Sequence, residues 1–299
     1  MRVFLTGATG FIGSRIVPDL IAAGHQVLGL TRSDAGAERL AAAGAEAFRG
    51  TLEEPESLRR GAEGADGVIH CAFDHDFSNF AANCEKDRRV IAALGEALRG
   101  SDRPLLVTSG VGIGHAGPGE PAVEDNFDPD YPNPRVASEV AANALLDAGL
   151  NVGVVRLPQV HDTVKQGLIT PLVEILREKG VAAYVGEGAN RWSAAHVTDV
   201  ARLYRLALER RTPGARYHAV DEEGVPVRDI VAALGRGLGL PVRSIAAAEA
   251  PEVFGWMAMF AGLDMAASSA RTRAELGWEP TGPGLLADLA AMDYGAAGR

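Results

Sequence analysis

Near the start of the chain an apolar run, residues 3 to 6, breaks into three glycines spaced three residues apart: Gly7, Gly10 and Gly13, within TGATGFIG. No other feature restricts the fold as strongly. A strand that ends in a tight turn and re-enters as a helix offers free backbone N–H groups where the helix dipole favours a phosphate. Each glycine then has its own task. Gly7 takes the positive φ of the turn, Gly10 leaves room for phosphates beside the backbone, and Gly13 lets the helix pack close to the strand. Two residues rather than one separate the first pair, unlike G-x-G-x-x-G, and an ordinary glycine-rich turn is the alternative.

The rest of the chain supports the nucleotide reading. Short apolar runs at 26–31, 45–48, 67–72, 104–109 and 151–157 alternate with helical stretches over 11–24, 35–43, 78–99 and 136–148. Parallel strands buried on both faces read as continuous apolar runs, so the pattern predicts a doubly wound parallel α/β sheet. After residue 157 the rhythm changes. Helices are expected over 168–179, 198–209, 268–276 and 283–293 and from Val227, with short strands at 182–185 and 217–220. We read residues 1–160 as a dinucleotide-binding domain and 161–299 mainly as a smaller C-terminal substrate lobe, part of which returns to the sheet. The longest irregular stretch, 110–134, begins directly after a strand end, and long loops in compact domains are usually functional.

Composition narrows the partners. A formal charge of −10, with no basic run interleaved with aromatics, argues against nucleic acid. The apolar stretch 254–261 is too short to span a membrane and is expected to be a core, lid or subunit-contact helix, a second copy of the chain being one partner. Only Cys71 and Cys84 are present and no secretory segment precedes the first strand, which fits a reducing cytoplasm. His75 and Asp76 have no spaced third ligand, so no metal is expected.

At the end of the second strand a dinucleotide fold usually places an acid on the ribose hydroxyls. Here that strand ends in Thr31, Arg32 and Ser33. A guanidinium matches a 2′-phosphate, so Arg32 with Ser33 favours NADP over NAD. The alternative is a solvated Arg32, with Asp34 serving an unphosphorylated ribose.

TGATGFIG, VIHCA (68–72), LLVTSG, VVRLPQV, RWSAAHVTDVARLY (191–204) and SSARTRAELGWEP (268–280) together resemble the extended or atypical short-chain dehydrogenases/reductases, the group that holds NAD-dependent epimerases and dehydratases. The resemblance covers nearly the whole chain and implies a Rossmann-type sheet. It also implies a cofactor lined by Gly7, Thr9, Gly10, Phe11, Ile12, Gly13, Ala72, Phe73, Thr108, Pro158 and Val160, with Ser109 at the family's catalytic Ser/Thr. The family's Tyr-x-x-x-Lys pair is missing. Arg135 falls at the tyrosine position and Glu139 at the lysine position, where they could simply pair on the helix surface. Arginine stays protonated and makes a poor general acid. The proton donor is therefore sought in His161 with Lys165, or in Tyr131, with Ser109 polarising the substrate oxygen. His70 and His196 read as structural. Three functions follow: an NADP-dependent oxidoreductase acting on a small carbonyl or alcohol, a non-catalytic NADP-binding redox sensor, and a nucleotide-sugar epimerase or dehydratase.

Overall fold

The computed structural model describes residues 1–295. Along the chain run β1 (Arg2–Thr6), α1 (Gly13–Ala22), β2 (Gln26–Thr31), α2 (Asp34–Ala42), β3 (Glu46–Arg49), α3 (Pro55–Glu63), β4 (Gly67–His70), α4 (Phe80–Leu98), β5 (Leu105–Gly110), α5 (Val136–Asp147) and β6 (Val152–Leu157). Then come β7 (Gln159–His161), α6 (Ile169–Lys179), β8 (Ala182–Val185), β9 (Arg191–His196), α7 (Val197–Arg210), β10 (Arg216–His218), β11 (Glu222–Pro226), α8 (Val227–Leu238), β12 (Val242–Ile245), α9 (Ala250–Phe254), α10 (Ala258–Ala261), α11 (Ala270–Leu276) and α12 (Leu285–Ala291).

Seven parallel strands form the main sheet in the order β10-β6-β5-β4-β1-β2-β3. The chain reverses its direction of winding between β1 and β4, and ligands bind outside the carboxyl ends of strands at such a switch point. On one face α1 and α7 pack, burying Ile16, Leu20, Leu203 and Tyr204; on the other, α3, α4 and α5 bury Leu58, Ile91, Leu94 and Ala142. The smaller lobe has its own core of Leu172, Trp192, Ile230, Leu234 and Leu289, around β8 with β12 and the mixed sheet β11-β9-β7.

The expected alternation matches the main sheet, with differences that have physical causes. Strand β4 stops at His70, two residues early, because the Cys71 and Ala72 N–H groups donate to Thr6 Oγ1 (3.2 Å each) and leave the ladder. Helix α3 lacks an apolar stripe in sequence, yet its few small and apolar residues, Leu58 and Ala62 among them, are fully buried. Residues 254–261 do not form one helix, since Gly255 adopts a φ of 55° and separates α9 from α10 with a 3-10 turn. Among the described residues, no helix is long and apolar enough to cross a membrane.

Candidate cofactor and active site

The turn between β1 and α1 is built around its glycines. Gly7 has a φ of 71°, and a Cβ there would lie 2.9 Å from the Cys71–Ala72 backbone. At Gly13 a Cβ would lie 2.0 Å from Gly7 O, so only glycine lets the helix start this close. Gly10 N donates to Gly7 O (2.9 Å) and closes the turn that also holds Thr9. The N–H groups of Phe11 and Ile12 donate to no described residue, while both side chains pack on the core. Free amides at a helix start beside a switch point fit a dinucleotide pyrophosphate.

At the end of β2, three of the four polar side chains at positions 31–34 are already engaged. Ser33 caps α2 by accepting from Gly36 N (3.1 Å), Thr31 is 4 % exposed, and Asp34 pairs with Arg49. Arg32 is exposed and makes no hydrogen bond or ion pair with the described residues. Of the trio expected at the ribose, it alone presents an unengaged polar side chain.

Between β4 and α5 lies a buried polar chain that sequence reasoning did not find. Thr6 accepts from Cys71 N and Ala72 N, so its hydroxyl proton goes to His70 Nδ1 (2.7 Å), and His70 Nε2–H donates to Asp87 Oδ1 (2.9 Å). Asp87 Oδ2 accepts from Ser138 Oγ and Arg135 Nη1 (2.6 Å each), and Arg135 Nη2 donates to Thr108 O (2.8 Å). Burial alone would raise the Asp87 pKa, but Arg135, His70 and Ser138 outweigh it and hold the carboxyl well below the ordinary range. Thr108 donates to His70 O (2.7 Å) and accepts from Tyr204 OH (2.6 Å), so its side chain is locked inside the sheet. Phe73 lies under Arg135, with the guanidinium carbon 4.1 Å from the ring centroid.

Arg135 and Glu139 do not pair with each other, contrary to the surface pairing considered from sequence. Glu139 is fully buried and binds Arg156 through both oxygens (2.8 Å each), with Arg216 Nε at 3.1 Å. Burial opposes its charge, yet Arg156 keeps its pKa lowered. Arg156 also donates to Val123 O, Asn126 O and His218 Nε2, which pins the long loop 110–134 beneath the site. Burial, then the Arg156 cation, pulls the His218 pKa down to about 4. Ser109 is 3 % exposed on the Glu139 side of β5, and its Oγ makes no well-formed hydrogen bond, although its proximity helps hold Glu139 ionised. The structure thus brings Arg135 to the Thr108 carbonyl and Glu139 beside Ser109, both at the carboxyl end of β5.

The other expected proton donors are placed differently. His161 is fully buried on β7, with Nδ1 bound to Asp288 (2.7 Å) and burial lowering its pKa, so no face of the ring is open to a substrate. We assign it no catalytic step. Lys165 is exposed in the loop after β7, and Tyr131 is half-buried with its ring 6.3 Å from that of His115. Val160 is core, while Pro158 and Ala72 are half-buried near the strand ends. His70 is satisfied inside the sheet, and His196 caps α7, accepting from Thr198 N, so both are structural. From Phe73 a run of rings leads outward: His75 at 5.4 Å, Phe77 6.2 Å further, and Trp256 stacked on Phe77 at 4.6 Å and 11°. This run joins the loop after β4 to the segment between α9 and α10.

Comparison with known proteins identifies the family and the fold. Residues 3–220 match the NAD dependent epimerase/dehydratase family. An uncharacterized protein of Schizosaccharomyces pombe is 44 % identical over 98 % of this chain and 100 % of its own length. A 4-hydroxy-2-methyl-3-oxo-4-farnesyl-3,4-dihydroquinoline-1-oxide ketoreductase of Stigmatella aurantiaca is 29 % identical, covering 78 % of this chain and 72 % of the relative. Among solved structures, a dTDP-glucose 4,6-dehydratase from Streptomyces venezuelae with NAD bound is similar in fold. It has a TM-score of 0.76 and 21 % identity over 98 % of this chain and 96 % of that one.

Proposed function

This chain belongs to the NAD dependent epimerase/dehydratase family, and from that premise we propose that it is an NADP-dependent reductase of small aldehydes or ketones. One observation carries the reading. At the carboxyl edge of β5 neither of the two charged side chains is a free base, because Arg135 keeps its protons and Glu139 is sealed by Arg156. Epimerases and dehydratases of nucleotide sugars begin by oxidising a hydroxyl, which needs a base to take its proton. Reduction of a carbonyl needs a hydride and a donor for the oxygen. When bound, the reduced nicotinamide supplies the hydride.

The chain's own residues supply the rest. Phe11 and Ile12 amides receive the pyrophosphate, and Arg32 binds the 2′-phosphate. The buried Ser109 hydroxyl, lacking a well-formed bond of its own, donates to the substrate oxygen. Phe73 and Phe77 exclude water beside it. The ketoreductase from Stigmatella aurantiaca is a relative with this class of chemistry.

The test is titration with NADPH and NADH, followed by NADPH oxidation with a panel of aldehydes and ketones. We expect preference for NADPH and turnover with at least one carbonyl. Binding without turnover across the panel would favour a redox sensor, and absence of NADPH binding would remove both readings.

A further inference from the structure

Arg135 has more hydrogen-bonding capacity than the protein uses. Nη1 donates to Asp87 Oδ2 at 2.6 Å and to Ser138 Oγ, and Nη2 donates to Thr108 O at 2.8 Å. A guanidinium carries five N–H bonds. Three are accounted for, and Nε–H and one Nη2 hydrogen have no acceptor among the described residues. These two N–H groups are left to serve an electron-rich oxygen or a carboxylate.

The group is also held still. Phe73 covers one face at 4.1 Å, Asp87 is fully buried, and 13 % of the Arg135 side chain stays open. His75 stands next along the run of rings, 5.4 Å from Phe73, and desolvation and then the Arg135 cation lower its pKa. The run of rings from Phe73 to Trp256 gives the open side of Arg135 an apolar neighbour.

We propose that Arg135 binds the reacting oxygen of the substrate and carries its developing negative charge. The family resemblance gives this position to a tyrosine, which both polarises and protonates. Arginine separates the two tasks. A bound reduced nicotinamide would supply the hydride pair for the new C–H bond, and the carbonyl π pair would move onto oxygen. The resulting alkoxide, paired with Arg135, takes its proton from a water molecule, whose hydroxide is neutralised by buffer. Arg135 keeps all its protons throughout. The fitting substrate is an aldehyde or ketone with an apolar or aromatic body. The inference rests on the reductase reading above.

The test uses benzoate, an aromatic anion that mimics the charged oxygen, titrated calorimetrically into the NADP-loaded protein. Saturable binding is expected, weakened at least tenfold in Arg135→Gln and at least threefold in Arg135→Lys. NADP affinity and melting temperature are measured for each variant. Because Arg135→Gln leaves Asp87 without its cation and can fail to fold, Arg135→Lys, which keeps that pairing charge, is the deciding variant. No saturation by benzoate in the unaltered protein, or Lys and Gln variants binding it within twofold of that protein, would overturn the proposal. If NADP itself does not bind, the reductase reading fails instead.

Discussion

Replacing Arg32 by alanine isolates the contact that would make this protein choose NADP. The guanidinium has no partner among the described residues, so its removal costs the fold nothing and the melting temperature should not move. Charge-assisted hydrogen bonds contribute about 1.5–3 kcal/mol, and at about 1.4 kcal/mol per tenfold this predicts NADP binding weaker by roughly 10- to 140-fold. Arg32 is exposed, so solvent and salt screen it and the lower end of that range applies. Arg49, whose position pairs with Thr31 across β2 and β3, is a cation that could substitute, but it is engaged with Asp34. Compensation would break that pair. Calorimetric titration with NADP and NAD, at low and high salt, reads the effect. The expected pattern is a loss confined to NADP that shrinks as salt rises. An equal loss for both cofactors, or none for NADP, would refute the role of Arg32.

Three further outcomes follow from the same geometry. Ser109→Ala should lower turnover about 10²-fold with NADPH affinity kept, and steady-state kinetics beside a cofactor titration checks both parts. Glu139→Gln leaves the fully buried Arg156 without its carboxylate and should cost about 3–5 kcal/mol, read as a lower urea midpoint; an unchanged midpoint would show the pair to be dispensable. Stability should fall as pH drops below the ordinary histidine range. His218 has a folded pKa of about 4 against about 6.5 unfolded, so the unfolded chain binds the proton first. Its contribution is full above pH 6.5 and is lost as pH falls towards 4, at up to about 1.4 kcal/mol per pH unit, and His161, also lowered, acts in the same direction. Urea midpoints at pH 7 and 5 check this, with His218→Gln expected to flatten the slope.

What could be read from sequence was whatever periodicity and backbone geometry dictate. Continuous apolar runs identified the strands of the main sheet, and the Gly7 turn followed from a positive φ that only glycine adopts freely. Helix α3 and the lobe strands β7 and β11 escaped, while β8 was read, because few apolar residues at short range carry the missed elements and distant partners decide their burial. The candidate site was legible where it uses backbone amides and obscure where it uses buried charge. Asp87, Glu139 and Arg156 each look like solvated surface residues in a helical or strand context, and only the fold brings Asp87 to His70 or Arg156 to Glu139. One signal was available: an arginine within the apolar run 152–157 is costly to bury alone and announces a buried acid. His161 misled for the converse reason, since its place after a strand end says nothing of the aspartate 127 residues away that encloses it.

The Glu139–Arg156 pair bears on which substitutions this chain can accept. A lysine introduced at position 139 would face two guanidiniums, Arg156 and Arg216, in a dry interior. Any single exchange among the three leaves a folded state burdened with unmatched charge, so replacement there requires several coordinated changes. Drift at this spot is therefore confined to moves made in concert.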